Sequence, residues 1–279
     1  MQPYQDTNSG PYFISLMTGH RRFLFYCQHL SGSGHFVRTL EIARSLAGEN
    51  DVYMIDGGRP VPRPYSDKPV NFVTLPRIVR GDDGITSFDS AEQPHQVMQR
   101  RQQQLQQTID RIRPDVVIIE HFPFSKWSLH EEITGLIKHL KKVNTGARVI
   151  CSIRDIVNNT CDEPDTDKEQ QITTVLEEYF DHVIVHSDPD VIRLDDYLPW
   201  ISRVRLPVHY TGYVSEKPGN TPARASQHDT GGDIIVSMGG GNSELAHDCM
   251  TAWQSDEMID ITEQYNLSIY SPLYVSREI

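Results

Sequence analysis

An α/β fold built on a parallel, doubly wound sheet is what this 279-residue sequence predicts, and three observations carry the prediction. Short apolar runs recur along the chain, and each is followed by a helical pattern. The runs are continuous rather than alternating, as strands buried on both faces are. Gly-rich turns stand between strand and helix at two places. Strands that alternate with helices imply right-handed βαβ crossovers whose helices cover both faces of the sheet.

The elements follow in order. Residues 1–20 are polar and read as an extension ahead of the fold. "RFLFYCQ" (22–28) is the first central strand. In "HLSGSGHFVRTLEIARSLA" (29–47), Phe36, Leu40, Ile42, Ala43, Leu46 and Ala47 recur at helical spacing, and Gly48 marks the stop. "DVYMID" (51–56) ends at Gly57 and Gly58 as a second strand, and "VNFVTLP" (70–76) is a third. A Gln/Arg-rich helix (94–112), the strand "PDVVIIE" (114–120), a helix (127–143), "ARVICSIRD" (147–155), a helix (169–180) and "DHVIVHSD" (181–188) continue the alternation. The glutamine run at 102–107 reads as a solvated helix face. "SEKPGNTPARASQHDTG" (215–231) loses apolar periodicity and has the composition of a linker. The first domain is therefore expected over 21–214, and "DIIVSMGGGNSELAHDCMTAW" begins a short, incomplete second segment over 232–279.

Composition narrows the function. The net charge of −12 repels nucleic acid, and only scattered basic pairs such as Arg100-Arg101 and Lys141-Lys142 oppose it. Cys27, Cys151, Cys161 and Cys249 have neither zinc-site spacing nor disulfide density, which suits a reducing compartment. No apolar stretch approaches the ~18 residues of a membrane span, so a cytoplasmic protein is expected, at most peripheral at a membrane.

Candidate sites lie where strands end. Glycines let the backbone turn tightly and approach a ligand, while free N–H groups at a helix start favour an anion. Ser31, Gly32, Ser33, Gly34 and His35 thus read as a phosphate- or sugar-facing loop; a Ser-capped βα turn explains the same spacing. His35, in the first helical turn at the carboxyl edge of a parallel sheet, has the position and chemistry of a base. A backbone-bonded helix-end histidine is the alternative. Glu120-His121 and Arg154-Asp155 end later strands at the same edge, the second pair being equally explained as a local ion pair. His186-Ser187-Asp188 reads as helix capping. Gly239, Gly240, Gly241, Asn242 and Ser243 form a second phosphate-loop candidate. Val37 stands where a full G-x-G-x-x-G needs its third glycine, yet Asp56 occupies the place of a ribose-binding acid, which keeps an NAD(P)-dependent enzyme open. "HEEIT", "IVSMG" and the lack of G-K-[ST] exclude zinc-protease, serine-hydrolase and P-loop readings.

Taken together, "HLSGSGH" with its strand and helix, "EHFPF", "SIRD", "VIVHSDP", "YTGYV" and "IIVSMGGGN" resemble the MurG-like glycosyltransferases of GT-B architecture over residues 20–245. The resemblance implies two Rossmann-like domains across a cleft, the first holding the acceptor and the second a nucleotide-sugar, usually a UDP-sugar. It implies hexosyl or N-acetylhexosaminyl transfer to a hydroxyl of a glycan or lipid-linked acceptor, with no metal or other cofactor. His35 would be the base and Glu120 a second base or the orienting partner of His35. Ser31, Gly32, Ser33, Gly34, His121, Arg154 and Asp155 would line the acceptor, and Gly239, Gly240, Gly241, Asn242 and Ser243 the donor diphosphate. Nothing after Met250 supplies the family's ribose-gripping acid or base pocket. The expectation is therefore a glycosyltransferase or the acceptor-side half of one, the short second segment reading equally as a truncation, a mispredicted gene end or one half of an enzyme completed by a separate C-terminal-domain chain; a non-catalytic, partner-binding remnant and the NAD(P)-dependent enzyme are the competing readings.

Overall fold

The computed structural model describes residues 19–30, 34–61, 68–81, 84–89, 92–154 and 166–215. The chain divides into two compact units, Met1–Glu216 and Lys217–Ile279, and every described residue lies in the first. In chain order the elements are β1 (Arg22–Tyr26), α1 (Gly34–Leu46), β2 (Asp51–Asp56), β3 (Asn71–Thr74), β4 (Ile78–Gly81), β5 (Gly84–Ser87), α2 (Pro94–Ile112), β6 (Val116–Glu120), α3 (His130–Val143), β7 (Arg148–Arg154), α4 (Thr166–Tyr179), β8 (His182–His186), the single turn α5 (Leu194–Tyr197) and β9 (Val208–Tyr210). Short 3-10 turns at Trp127–Leu129 and Pro199–Arg203 precede α3 and β9.

Seven strands form one parallel sheet in the order β3-β2-β1-β6-β7-β8-β9. The chain winds outward from β1 to β3, then returns to the middle and winds the other way from β6. This is a Rossmann-like, doubly wound α/β fold, and its strand order reverses between β1 and β6. In such sheets the loops beyond the two central strands diverge there and leave a crevice, which is where ligands bind.

Side-chain alternation sorts the core into two layers. On one face Leu24, Tyr26, Ile55, Val117, Ile119, Val149, Cys151, Val183 and Val185 pack against α2, α3 and α4. On the other, Phe23, Phe25, Val52, Met54, Ile118, Ile150 and Ile184 pack with Phe36, Leu40 and Ala43 of α1. The helices form where the sequence supports them. α2 has Pro at its start and ends on Arg113 in the left-handed region (φ 49°). α3 carries Glu131 and Glu132 in its first turn and Lys141 and Lys142 in its last, matching the helix dipole.

Three features depart from expectation. β4 and β5 form a separate antiparallel hairpin, and β9 extends the sheet. These strands are three or four residues long, too short for a period to register in the sequence. After β8 the chain turns at 188–191, where Asp188 Oδ1 accepts from the Asp190 N–H (2.9 Å), so that Ser187 and Asp188 do not cap a helix; α5 starts only at Leu194.

Candidate functional site

The fold delivers the ends of β1 and β6 to the same crevice. Beyond β1 the chain reaches Gly34 and His35, the first residues of α1; Glu120 ends β6. A Cβ on Gly34 would meet nothing within 4 Å, so packing does not require this glycine. It leaves space beside His35. Gly58 differs, since a Cβ there would lie 2.4 Å from the His29 carbonyl oxygen. Close packing alone requires that glycine.

His35 Nδ1 lies 2.6 Å from Glu120 Oε1. Because a carboxylate only accepts, the network assigns a proton to Nδ1, so that in the neutral ring Nε2 carries the lone pair. The His35 side chain keeps 31% exposure while that of Glu120 keeps 1%. This is the geometry of a base oriented by a buried acid.

Two cations share the same carboxylate. Arg38, one turn beyond His35 on α1, donates from Nη2 to Glu120 Oε1 at 2.6 Å. Lys126 donates to Glu120 Oε2 and, at 3.0 Å, to the Glu120 carbonyl oxygen. Burial works to raise the Glu120 carboxyl, but Lys126 and the hydrogen bond from His35 outweigh it, holding the group far below the usual carboxylate range. Glu120 is therefore ionised and already fully engaged.

His121 completes the cluster. Its backbone is left-handed (φ 65°), as is that of Lys126 (φ 64°), a conformation that costs a non-glycine residue energy and recurs at functional sites. The His121 ring packs edge-on against His35, with centroids 4.9 Å apart. Burial, opposed by Glu120, pushes its pKa down to about 3. One donor atom each from His35, Glu120 and His121 lies within 4.8 Å of the others, which is a metal-like arrangement. However, Arg38 and Lys126 already occupy both Glu120 oxygens, and their positive charge opposes a further cation.

A second polar group continues along the same sheet edge. Ser152 Oγ lies 2.9 Å from His186 Nε2, and His186 Nδ1 lies 2.7 Å from Thr211 Oγ1. Burial, aided by Arg38, pushes the pKa of His186 down to about 4. On the opposite face, at the ends of β1 and β2, Arg101 has no exposed side-chain surface. It donates to Glu132, Gln28 Oε1 and the Pro76 carbonyl. Tyr26 donates to the same Glu132 carboxylate. Glu132 of "HEEIT" is thus the partner of a buried arginine.

The structure brings together Gly34, His35, Glu120 and His121. Arg154 is exposed at the end of β7. Asp56 is buried at the end of β2. Ser31, Gly32, Ser33, Asp155, Gly239, Gly240, Gly241, Asn242 and Ser243 lie outside the described residues. Cys27 and Cys151 are buried, and burial raises the Cys27 thiol to about 12, leaving it an inert core residue. Sequence reasoning missed Arg38, whose i+3 spacing from His35 on one helix face was the available signal. It also missed Lys126, for which no spacing rule exists.

No family model matches this chain, and no curated protein does. Solved structures similar to it include Medicago truncatula UGT71G1 complexed with UDP-glucose, with TM-score 0.47, 12% identity, and 91% of this chain and 72% of that one covered. Phytolacca americana UGT2, complexed with UDP-2fluoro-glucose and pterostilbene, has TM-score 0.44, 12% identity and coverage of 72% and 55%. CalG4, the calicheamicin glycosyltransferase, has TM-score 0.43, 14% identity and coverage of 85% and 63%. The match spans little more than half the length of the Phytolacca americana UGT2 chain (55%) and 63% of that of CalG4. Among the described residues, no helix is long and apolar enough to cross a membrane.

Proposed function

We propose that this chain carries the acceptor-side domain of a GT-B glycosyltransferase, with His35 as general base. The observation that carries the reading is the His35–Glu120 pair at the point where the strand order reverses. In this reading a hydroxyl of a glycan or lipid-linked acceptor sits against His35 Nε2. That nitrogen takes the hydroxyl proton as the oxygen attacks the anomeric carbon of a nucleotide-sugar, and the bond to the diphosphate breaks. Glu120 holds the Nδ1–H tautomer and stabilises the imidazolium that forms; it is a positioning residue, because its own oxygens are taken. Gly239, Gly240, Gly241, Asn242 and Ser243 are proposed to cradle the departing diphosphate with backbone N–H groups, without a metal. The MurG-like assignment, hexosyl or N-acetylhexosaminyl transfer, participation of a separate C-terminal-domain chain and a cytoplasmic or membrane-peripheral location belong to this proposal.

The test is release of nucleoside diphosphate from a panel of nucleotide-sugars by the full chain, with glycan and lipid-linked acceptors, alone and with candidate partner chains. Transfer that falls by about 10²–10⁴ in His35→Ala is expected. Undiminished transfer in that variant, or no transfer under any combination, overturns the reading.

A further inference from the structure

The cluster around Glu120 holds more positive than negative charge. One carboxylate is shared by a guanidinium and an ammonium group, and two imidazoles complete the shell. α1, thirteen residues long, begins at this point and adds the positive end of its dipole. Two further atoms lack a role in the Glu120 network. Among the described residues, His121 Nε2 and Arg38 Nε are buried without a hydrogen-bond partner, and His121 is only 6% exposed. Buried polar atoms are nearly always paired, so nitrogen positions without partners, one on a surplus cation and one on the imidazole packed against His35, suit a ligand that supplies oxygen acceptors and negative charge.

We propose that the acceptor bears an oxyanion, a phosphate ester or a carboxylate, close to the reacting hydroxyl, and that Arg38, Lys126 and His121 hold it. The proposal rests on the transferase reading for the word acceptor; the oxyanion pocket itself does not. Glu120 acts as a counter-charge that keeps both cations in place while the site is unliganded. An arriving anion then shares cations that are already oriented, so little reorganisation is needed on binding. Arg38 reaches Glu120 through Nη2, and a guanidinium has donors to spare for a second, bidentate partner. A neutral sugar would leave the surplus charge uncompensated in a site with little solvent.

The experiment is calorimetric titration of the full chain at low ionic strength, without donor, using glucose 6-phosphate, glucuronate, glucose and UDP as probes. Glucose 6-phosphate or glucuronate is expected to bind at least tenfold more tightly than glucose, and Arg38→Met and Lys126→Met each to remove at least tenfold of that affinity. Circular dichroism checks the fold of each variant, and Arg38→Gln replaces any Arg38→Met protein that does not fold. Equal binding of glucose and the charged probes overturns the proposal, as does wild-type affinity in folded variants of both cations. If UDP loses as much affinity as glucose 6-phosphate in these variants, the cations serve the leaving diphosphate and the acceptor assignment falls. Anion binding with no transfer from any donor leaves the pocket standing and removes the transferase reading; transfer to a phosphate- or carboxylate-bearing acceptor that is undiminished in folded Arg38→Met and Lys126→Met removes the oxyanion proposal alone.

Discussion

Glu120 accepts from His35, Arg38 and Lys126 at once, and that crowding decides which chemistry is open to it. A carboxylate held this far below its usual range is a poor proton acceptor, but it fixes the imidazole tautomer and offsets an imidazolium charge, as the acid of a catalytic triad does. Glu120→Gln keeps the shape and removes the charge. In the proposed reaction it should lower kcat by about 10²–10⁴ with a smaller effect on KM, since an amide also permits the wrong tautomer. Steady-state kinetics decides this, and a wild-type kcat in Glu120→Gln would take Glu120 out of the mechanism. Gly34 permits the complementary test. Its Cβ position is open and it stands at the first position of α1, where alanine brings no clash, so Gly34→Ala should leave the thermal midpoint unchanged while weakening acceptor binding. A lowered midpoint would show that the glycine serves the fold instead.

Arg101 shows what an element-level reading of sequence misses. It stands beside a glutamine run whose Gln102, Gln103 and Gln107 are exposed, yet its own side chain is fully buried. From α2 it ties together the carboxyl ends of three strands, through Gln28 after β1, Gly57 after β2 and Pro76 after β3, with Glu132 of α3 neutralising it. Removing one member of such a pair leaves a buried charge without its partner, so Arg101→Ala should cost about 3–5 kcal/mol, read as a loss in urea-unfolding free energy. A cost under about 1 kcal/mol would place the pair among surface-like bridges of little consequence. The elements themselves were legible where periodicity had room to register. Every strand and helix of four or more residues that carries a continuous apolar run or a helical stripe was expected within a few positions of where it lies, whereas the β4–β5 hairpin and β9 were too short to announce themselves. The site was half legible for a related reason. Position at a strand end marks Glu120, His121 and His186, and the first helical turn after β1 marks His35, but which charges surround them depends on side chains that converge from separate loops, and Lys126 carries no local pattern that reveals it.

At the scale of the whole molecule, the polar edge of the sheet couples the site to stability. β6, β7 and β8 each contribute a polar residue beyond the apolar rows of the α1 face, namely Glu120, Ser152 and His186, and His121 follows directly. His121 and His186 are held neutral when folded, with pKa values pushed to about 3 and about 4. In the unfolded chain both return to about 6.5. Below that value the unfolded state takes up protons that the native state refuses, so stability falls as pH drops from about 6.5 toward 4. Glu120 acts in a lower window: its depressed native pKa contributes stability that is complete above about 4.3 and is lost as pH falls further. The two effects have the same sign and follow one another, so acidification should erode stability from pH 6.5 downward without a plateau. Between pH 6.5 and 4 each histidine accounts for a loss on the order of 3 kcal/mol at most. Urea unfolding at pH 7, 6, 5 and 4 measures this directly, and His186→Asn, which cannot titrate, should flatten the curve above pH 4.5 relative to wild type. A stability that stays level or rises between pH 7 and 5 would mean that these histidines accept protons in the folded state, and that the sheet edge is wetter and more open than its hydrogen bonds imply.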